Sequence, residues 1–496
     1  MGYIRGQDRN QVTMLPEAVD DFIPQDSYVR FLDECVESFD FRGAGFTHAT
    51  AAKTGRPPYH PGDLLKLYIY GSMNRLNSSR QLANACKTNL EVMWLLRRLQ
   101  PDFRTISDFR KDNGTAIRKV FRSFIRRLKA MGVVVGEMVG IDGSKFAAVN
   151  SKDNNYSEKK LTRLIEHYEG RIEDYLKKLD ENDETEQPEL KEQIEQQLDL
   201  MKQRQQAKKE LLEKLEQTGE KQISTIDPES KRMKSGDGTV VGYNVQTSID
   251  AQNKLIIDIE VSSQGNDSHE LEKMSTRAKE ILEQDTVKVA ADTGYYRSEE
   301  IVNCEKKGIE TYVSKPKERR SGFFSKKDFI FNKAQDSYIC PAGETLPFKS
   351  IVREHGRQLR RYETNACKTC LLRSRCTSRK NNNRRITRFT DEELLEIVQQ
   401  RVANAPEIRT LRKSIVEHPF GTLKRRTNGR FLTKGIFRVG TEAVMMALAY
   451  DLTRLIKIFG GQLKRNLSAF LGPFSAKTLL KLNSCYYKTP FSLPSQ

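Results

Sequence analysis

The spacing of apolar residues changes abruptly near residue 132, and this change constrains the fold more than any other feature of the chain. Before it, apolar side chains such as Val120, Phe124 and Leu128 recur at intervals of three and four, which predicts amphipathic helices. After it, the valine-rich stretch 133–141 predicts a buried strand that ends at Asp142. We therefore expect a helical N-terminal domain, residues 1–132, followed by a domain built around a sheet.

The segments after the first strand predict a mixed α/β fold. They alternate in type, with a hairpin at 240–249 and 255–261, a helix at 269–283, a strand at 286–291, a helix at 298–307 and a strand at 311–313. This order is that of a ribonuclease H-like catalytic sheet, although other α/β folds are compatible with it. The expected core comprises 133–157 and 218–314, followed by C-terminal helices at 391–460 and a tail at 461–496.

Short helices separated by polar capping residues are predicted in the N-terminal domain. Asp63 is expected to open one helix, Ser78 or Ser79 to cap the next and Thr105 to precede a third. The two helices that meet just before Ser78 fit a helix-turn-helix, which would place Arg80 in a DNA groove. Similar turns occur in helical bundles that do not bind DNA, so both interpretations stay open.

Residues 158–217 interrupt the sheet with a helical insertion. Apolar residues recur at intervals of three and four from 161 to 179 and again from 190 to 215, and Pro188 stands where a second helix would begin. Two antiparallel helices forming a charged coiled-coil arm satisfy this pattern. Such an arm would mediate dimerisation or bridge to DNA or another domain; a solvated hairpin without a partner is the alternative.

The charge of the chain is strongly positive and unevenly distributed. The net charge is +18, from 84 Lys and Arg against 66 Asp and Glu. The insertion 158–217 carries −5, whereas residues 315–388 carry +14 and residues 409–438 carry +8. Positive charge concentrated in this way is typical of a protein that binds a polyanion, usually nucleic acid. No run of 18 apolar residues occurs, so we expect no membrane-spanning helix.

Four cysteines cluster in the basic segment 315–390. Cys367 and Cys370 form a CxxC pair, and Cys376 with the more distant Cys340 would complete four thiolate ligands for one structural Zn²⁺ ion. Neighbouring basic residues are expected to lower the pKa values of these thiols. We therefore predict a zinc-binding insertion, with reduced free cysteines as the alternative.

Three carboxylates stand at positions where a sheet and a packed helix could bring them together. Asp142 and Asp292 each follow an apolar strand, and Glu417 lies in an arginine-rich helical stretch. Three converging carboxylates can hold two Mg²⁺ ions, which activate water or a 3′-hydroxyl for attack on a phosphodiester. Lys424 follows Glu417 by seven residues, two helical turns, and is expected to hold a phosphate beside the metals.

Several separated blocks resemble DDE transposases of bacterial insertion sequences. The catalytic blocks of that family are similar to residues 141–146, 291–295 and 416–425, including the spacing from Glu417 to Lys424. Residues 59–68, with 74–76 and 102–106, resemble its N-terminal domain, and the four-cysteine segment resembles the zinc-binding insertion of one branch. The family often has Arg four residues before its Glu, whereas this chain has Lys413 there, beside Arg412.

The resemblance implies an enzyme that binds the terminal inverted repeats of its element, cuts a strand to free a 3′-hydroxyl and joins that end to target DNA. Asp142, Asp292 and Glu417 would be its catalytic Mg²⁺ ligands. Basic side chains would contact DNA, namely those of Lys424, Arg425, Arg426, Arg412, Lys145 and Arg80. We expect a homodimer on double-stranded DNA in the bacterial cytoplasm, associated with the nucleoid. A catalytically inactive DNA-binding regulator and a ribonuclease H-like nuclease are the alternatives.

Three other polar residues near these blocks are assigned supporting roles. Asp227 is expected to stabilise a turn or the ligands, and Asp267 to cap the helix that starts near residue 269. His418, which precedes Pro419, is expected to be structural because two-metal hydrolysis needs no imidazole.

Overall fold

The computed structural model describes residues 18–50, 57–183, 188–236, 238–316, 322–354, 357–377 and 383–460. The chain forms two compact units. The first takes its residues from 1–266, 280–284 and 414–496, and the second from 267–279 and 285–413. The predicted catalytic core contributes to both units. The predicted tail, 461–496, lies outside the described residues.

The described residues contain both helices and strands. The α-helices are α1 (Tyr28–Glu37), α2 (Phe41–Ala44), α3 (Pro61–Met73), α4 (Ser79–Thr88), α5 (Leu90–Leu95), α6 (Phe103–Asp112), α7 (Gly114–Ala130), α8 (Glu158–Asp183), α9 (Pro188–Thr218), α10 (Leu271–Leu282), α11 (Ser298–Lys306), α12 (Arg373–Cys376), α13 (Glu392–Asn404), α14 (Pro406–Thr427) and α15 (Ile436–Phe459). The strands are β1 (Met138–Ala147), β2 (Asn155–Tyr156), β3 (Ile223–Ser224), β4 (Lys231–Ser235), β5 (Gly238–Asp250), β6 (Ile256–Ser262), β7 (Val287–Ala291), β8 (Ile309–Val313), β9 (Ile330–Asn332), β10 (Ser337–Ile339), β11 (Thr345–Glu354), β12 (Arg357–Tyr362) and β13 (Ile386–Phe389).

Side-chain caps set the boundaries of the N-terminal helices in the first unit. Ser78 accepts a hydrogen bond from the Gln81 amide and begins α4, which confirms the predicted cap. The predicted starts of two other helices are wrong by a few residues. Helix α3 begins at Pro61, because proline at the first helical position leaves no amide unpaired there. Helix α6 begins at Phe103, because Asp102 accepts hydrogen bonds from two amides of its first turn.

Strands β1, β4, β5 and β6 form the antiparallel sheet of the first unit. Strand β5 pairs with β1 on one side and with β4 and β6 on the other, which confirms the predicted hairpin. Asp142 does not end β1 as predicted but lies in its middle, opposite Thr247. The strand starts late because Gly136 has a left-handed φ of 70°, and because the amide of Gly136 donates to the Asp250 carboxylate.

The insertion forms the two long helices that its spacing predicts. Leu161 of α8 and Leu215 of α9 are buried together with Tyr156 at the base of the hairpin. Further along, Lys209 Nζ lies 3.7 Å from Glu169 Oε1. Since early residues of α8 meet late residues of α9, the helices run antiparallel.

The second unit contains two separate groups of strands. Strands β7 and β8 are parallel, with Val287 opposite Ile309. Strands β9 to β13 form an antiparallel sheet in the order β13-β12-β11-β10-β9. This five-stranded sheet lies in the basic insertion, and the sequence analysis did not predict it. Its core contains five buried side chains, those of Phe329, Tyr338, Leu346, Tyr362 and Ile386.

The architecture is therefore a mixed α/β fold with a helical N-terminal region and with both antiparallel and parallel strand pairs. Helix α15 packs on α3 and α7 in the first unit and supports β6, so the helical region and the antiparallel sheet share a core. In the part of the chain that the structure describes, no helix is both long and apolar enough to cross a membrane.

Candidate active site and DNA-binding surface

Strand β1 presents Asp142 on the side that contacts α14. Gly140, Asp142 and Phe146 lie on one face of β1, because alternate side chains of a strand point the same way. A β-carbon on Gly140 would lie 2.9 Å from Ile415 Cγ2, and the rings of Phe146 and Phe420 lie 6.5 Å apart. The helix therefore contacts β1 on both sides of Asp142 along the strand.

The same part of α14 carries Glu417. Glu417 is exposed and lies three residues before Phe420 and seven before Lys424, so these residues share one side of the helix. The Lys424 ammonium lies 5.8 Å from the centre of the Phe146 ring. Glu417 therefore lies between the two contacts of α14 with β1, the strand that carries Asp142, while its own side chain is exposed.

Lys145 and Lys424 line a cleft of about 320 Å³. Its other lining residues include Asn428 and Gly429, and none of them is acidic. The chain after α14 is fixed against β1 here, since the Ala147 amide donates to Gly429 O at 2.8 Å. Two lysines in a cleft without carboxylates match the charge of a phosphate group.

Arg425 and Arg426 differ in exposure. Arg425 is exposed at the end of α14. Arg426 is only 9% exposed, and its Nη2 donates to Thr453 Oγ1 at 2.8 Å. Burial lowers the pKa of the Arg426 guanidinium, and the nearby charges of Arg425 and Arg75 lower it further. Arg426 is therefore built into the packing of α14 on α15, which argues against its predicted role in contacting DNA directly.

Arg80 lies at the start of α4 on the exposed side of that helix. Its guanidinium lies 5.4 Å from the centre of the Phe103 ring, and Arg104 lies 5.9 Å from the same ring. A β-carbon on Gly71 of α3 would lie 2.4 Å from Leu82 of α4, so the two helices pack closely at the predicted helix-turn-helix. Arginine on a partly exposed aromatic ring suits contact with nucleic acid.

Asp292 is exposed at the end of β7 in the second unit. Its carboxylate accepts a hydrogen bond from the Gly294 amide and begins a short 3₁₀ turn. The residue lines a cleft of about 540 Å³ together with Arg409, Arg412 and Lys413. This cleft therefore combines one predicted metal ligand with basic side chains that can neutralise a phosphate backbone.

Two family models match separate parts of the chain. A transposase domain (DUF772) matches residues 17–112, and a transposase DDE domain matches residues 339–456. The chain belongs to the DDE transposases of insertion sequences. The matched segments of this transposase contain Arg80, Glu417 and Lys424, whereas Asp142 and Asp292 lie outside them.

Comparison with individual proteins adds little to the family assignment. No curated protein matches this transposase. Among solved structures, it is similar to the cryo-EM structure of a piggyBac transposase synaptic complex with hairpin DNA, at 9% identity, with 94% of this chain and 84% of that chain covered and a TM-score of 0.24. A TM-score this low carries no argument about the fold.

The four cysteines of the basic segment line one cavity of about 30 Å³ in the transposase's second unit. Burial raises the pKa of the Cys376 thiol, Arg384 opposes this, and Cys367, Cys340 and Cys370 raise it further. A basic neighbour therefore does lower the pKa of the Cys376 thiol, but burial and the other cysteines outweigh it, so the expected net lowering is wrong for Cys376. Over the described ranges, no three or more His, Cys, Asp or Glu side chains are already positioned to hold a metal ion. The zinc site remains a prediction.

Asp227 and His418, which were assigned supporting roles, both form hydrogen bonds within the fold. Asp227 is fully buried and accepts hydrogen bonds from Tyr243 Oη at 2.8 Å and from the Gly435 amide at 3.2 Å. His418 Nδ1 lies 2.8 Å from Tyr450 Oη. Burial lowers the pKa of His418, and nearby basic residues, Arg454 first, lower it further. Both residues therefore bond to other elements of the fold.

Sequence analysis missed two residues that position the site. Gly140 permits the close contact with α14, and a glycine inside a predicted buried strand is a recognisable signal for such an approach. Asn77 donates from Nδ2 to Arg426 O at 2.8 Å, across 349 residues of sequence. Nothing in the local sequence around Asn77 indicates so distant a partner.

Proposed function

We propose that this transposase binds the terminal inverted repeats of its insertion sequence, hydrolyses a strand at each end to free a 3′-hydroxyl, and joins that end to target DNA. One observation supports the proposal: α14, the helix of Glu417, contacts β1, the strand of Asp142, both before and after Glu417, and Lys424 lies on the same side of the helix as Glu417. A ribonuclease H-like arrangement of the strands belongs to the same proposal.

We assign Asp142, Asp292 and Glu417 as ligands of two catalytic Mg²⁺ ions. The donor chemistry fits, because all three offer carboxylate oxygens, the ligands that Mg²⁺ prefers, and all three are at least partly exposed. When bound, such a metal pair activates water or a 3′-hydroxyl and stabilises the leaving oxygen. The backbone amide of Gly143 donates to Asp142 Oδ1 at 2.9 Å, which restricts the rotation of that carboxylate.

The basic side chains around these acids would hold the DNA. Lys145 and Lys424 can bind one phosphate in the cleft that they share, and Arg412 another in the cleft beside Asp292. Arg425 and Arg80 extend the positive surface of the first unit. Because each neutralised phosphate releases counterions, binding should weaken steeply as salt concentration rises.

A nicking assay with supercoiled plasmid carrying the element's ends tests the proposed chemistry. Asp142→Asn and Glu417→Gln should lose Mg²⁺-dependent cleavage while still binding DNA, because each substitution removes an anionic ligand and keeps its shape. Glu407→Gln is the matched control, since Glu407 is another exposed carboxylate of α14. Cleavage by Asp142→Asn or Glu417→Gln at the wild-type rate would show that the site is wrongly assigned.

The products of the same assay separate the alternatives. Joined DNA ends identify strand transfer, whereas ends that are only hydrolysed identify a nuclease. Sequence-specific binding by the wild-type protein without any cleavage identifies a regulator. We further propose a dimer, since two ends must be brought together, and a cytoplasmic, nucleoid-associated location.

A further inference from the structure

The end of α14 is capped by a residue of the helix-turn-helix. The last carbonyl groups of a helix have no partner within it. At the end of α14, Lys424 O accepts from the Gly429 amide at 3.0 Å and Thr427 O from the Arg430 amide at 3.2 Å. Arg426 O accepts from Asn77 Nδ2 at 2.8 Å. The turn that precedes α4 is therefore bonded directly to the helix that carries Glu417.

The turn itself is rigid, so the bond from Asn77 links two well-defined elements. The Leu76 amide donates to Gly71 O at 2.8 Å, which closes the end of α3 in a Schellman motif with Arg75 in a left-handed conformation, φ 62°. On the other side, Ser78 caps α4. Hydrogen bonds therefore define the backbone on both sides of Asn77.

The hydrogen bond from Asn77 brings arginines of two segments together, because Arg75 lies two residues before Asn77 and Arg425 directly precedes Arg426. Burial lowers the pKa of the Arg426 guanidinium, and the charges of Arg425 and Arg75 lower it further. Arg75 and Arg425 are exposed, and within the described residues none of the three arginines forms a salt bridge with an acid. Like charges held together without a carboxylate favour an anion between them, and a DNA phosphate supplies one.

We propose that Asn77 fixes the distance along the DNA between the sequence held by α4 and the bond cut at Glu417, while Arg75 and Arg425 hold the backbone phosphate between them. The inference rests on the proposed function and adds a positioning residue to it. Arg80 and Glu417 then belong to one rigid assembly, so binding of the end sets which phosphodiester reaches the acids.

Cleavage mapping with labelled end DNA tests the role of Asn77. Asn77→Ala and the similarly sized, uncharged Asn77→Leu should bind end DNA as the wild type does, but the rate of cutting at the wild-type bond should fall about tenfold or more, because a displacement of about 1 Å can cost about 10²-fold. New cuts should appear at neighbouring bonds, which are about 3.4 Å apart along the strand. Asn89→Ala is the matched control, since Asn89 caps α5 in the same helical region.

Each outcome decides the matter. The inference is overturned if the wild type cuts DNA and both Asn77 variants cut at the same position and rate. The proposed function is unaffected by that result. The inference is also overturned if the Asn77 variants and Asn89→Ala all cut more slowly at the wild-type bond and show the same fall in melting temperature. The effect is then general destabilisation. No cutting by the wild type means that the proposed function itself has failed.

The phosphate contact has its own measurement. Arg75→Gln should reduce the slope of log binding constant against log salt by about one unit, as expected for one lost phosphate contact. Arg98→Gln is the matched control, because Arg98 is an exposed arginine of the same helical region with φ 61°. An equal slope for Arg75→Gln and wild type excludes a phosphate beside Arg75.

Discussion

Substituting Gly140 by alanine should move the helix that carries Glu417 while leaving every acid in place. A β-carbon at position 140 would lie 2.9 Å from Ile415 Cγ2 and 3.0 Å from Val416 Cγ1, whereas ordinary contact begins at 3.4 Å. Helix α14 or strand β1 must therefore shift by about 0.5 Å to accommodate one methyl group. The shift acts one residue before Glu417 and two residues before Asp142.

The expected effect on catalysis follows from that shift. A displacement of about 1 Å can lower a rate by about 10²-fold, so about half that distance should cost roughly tenfold. Overpacking of a core contact costs about 1–3 kcal/mol of stability, and the better backbone entropy of alanine returns about 0.5–1 kcal/mol of it. The Gly140→Ala protein should therefore remain folded at room temperature and cut DNA about ten times more slowly.

Initial rates of plasmid nicking and urea unfolding, measured on the same preparations, test this reasoning. Gly170→Ala is the matched control, because a β-carbon on Gly170 of α8 would have no other atom within 4 Å. This variant should gain about 0.5–1 kcal/mol from helix propensity and keep its activity. A Gly140→Ala enzyme that nicks at the wild-type rate would refute the argument that α14 positions Glu417 through this contact.

Two further predictions concern Asp451 and the predicted zinc-binding cysteines. Burial raises the pKa of Asp451 well above its usual value, so the contribution of Asp451 to stability should be fully present below about pH 4, the ordinary pKa of an unfolded Asp, and be lost as pH rises towards the folded pKa. Asp451→Asn can still accept the hydrogen bond from the Ile256 amide, 2.8 Å long in the wild type. The free energy of unfolding in urea should therefore fall less between pH 5 and pH 8 in this variant than in the wild type, and an equal fall in both would contradict the reasoning. Purified protein should contain about one zinc per chain, lost on chelation and in Cys370→Ser but kept in Cys304→Ser, whose cysteine is buried elsewhere; wild-type protein without zinc would refute the site.

Sequence alone was sufficient wherever a local pattern determines the structure. Ser78 caps α4 because its hydroxyl reaches an amide three residues ahead, and Val287–Ala291 forms a strand because its apolar run is short and bounded by polar residues. The start of β1 was misplaced because the distant carboxylate of Asp250 captures the amide of Gly136. A hydrogen bond between such distant residues forms only in the folded chain, and the local spacing of residues does not indicate it.

The basic insertion and the pair Arg425 and Arg426 show a second limit of prediction from the sequence. The sheet of β9 to β13 was missed because β9 and β10 have only three residues each and β12 carries three arginines, so no regular apolar alternation marks them. The core of the sheet is built by aromatic side chains such as Tyr338 and Tyr362, which meet only after folding. Likewise, adjacent Arg425 and Arg426 look equivalent in the sequence. Their positions on the helix separate them, since Arg426 faces α15 and Arg425 faces solvent.

The way α14 is held explains how the basic segment 409–438 can present Glu417 and Lys424 together. Within the first unit, one side of the helix packs on β1 through Ile415 and Phe420, and its last turn is fixed by Asn77. A helix held before and after Glu417 can keep this exposed carboxylate, and a lysine two turns later, in fixed positions without enclosing either. An enzyme acting on a long polymer needs that combination, because its site must stay open to DNA while its acids stay in register with one bond.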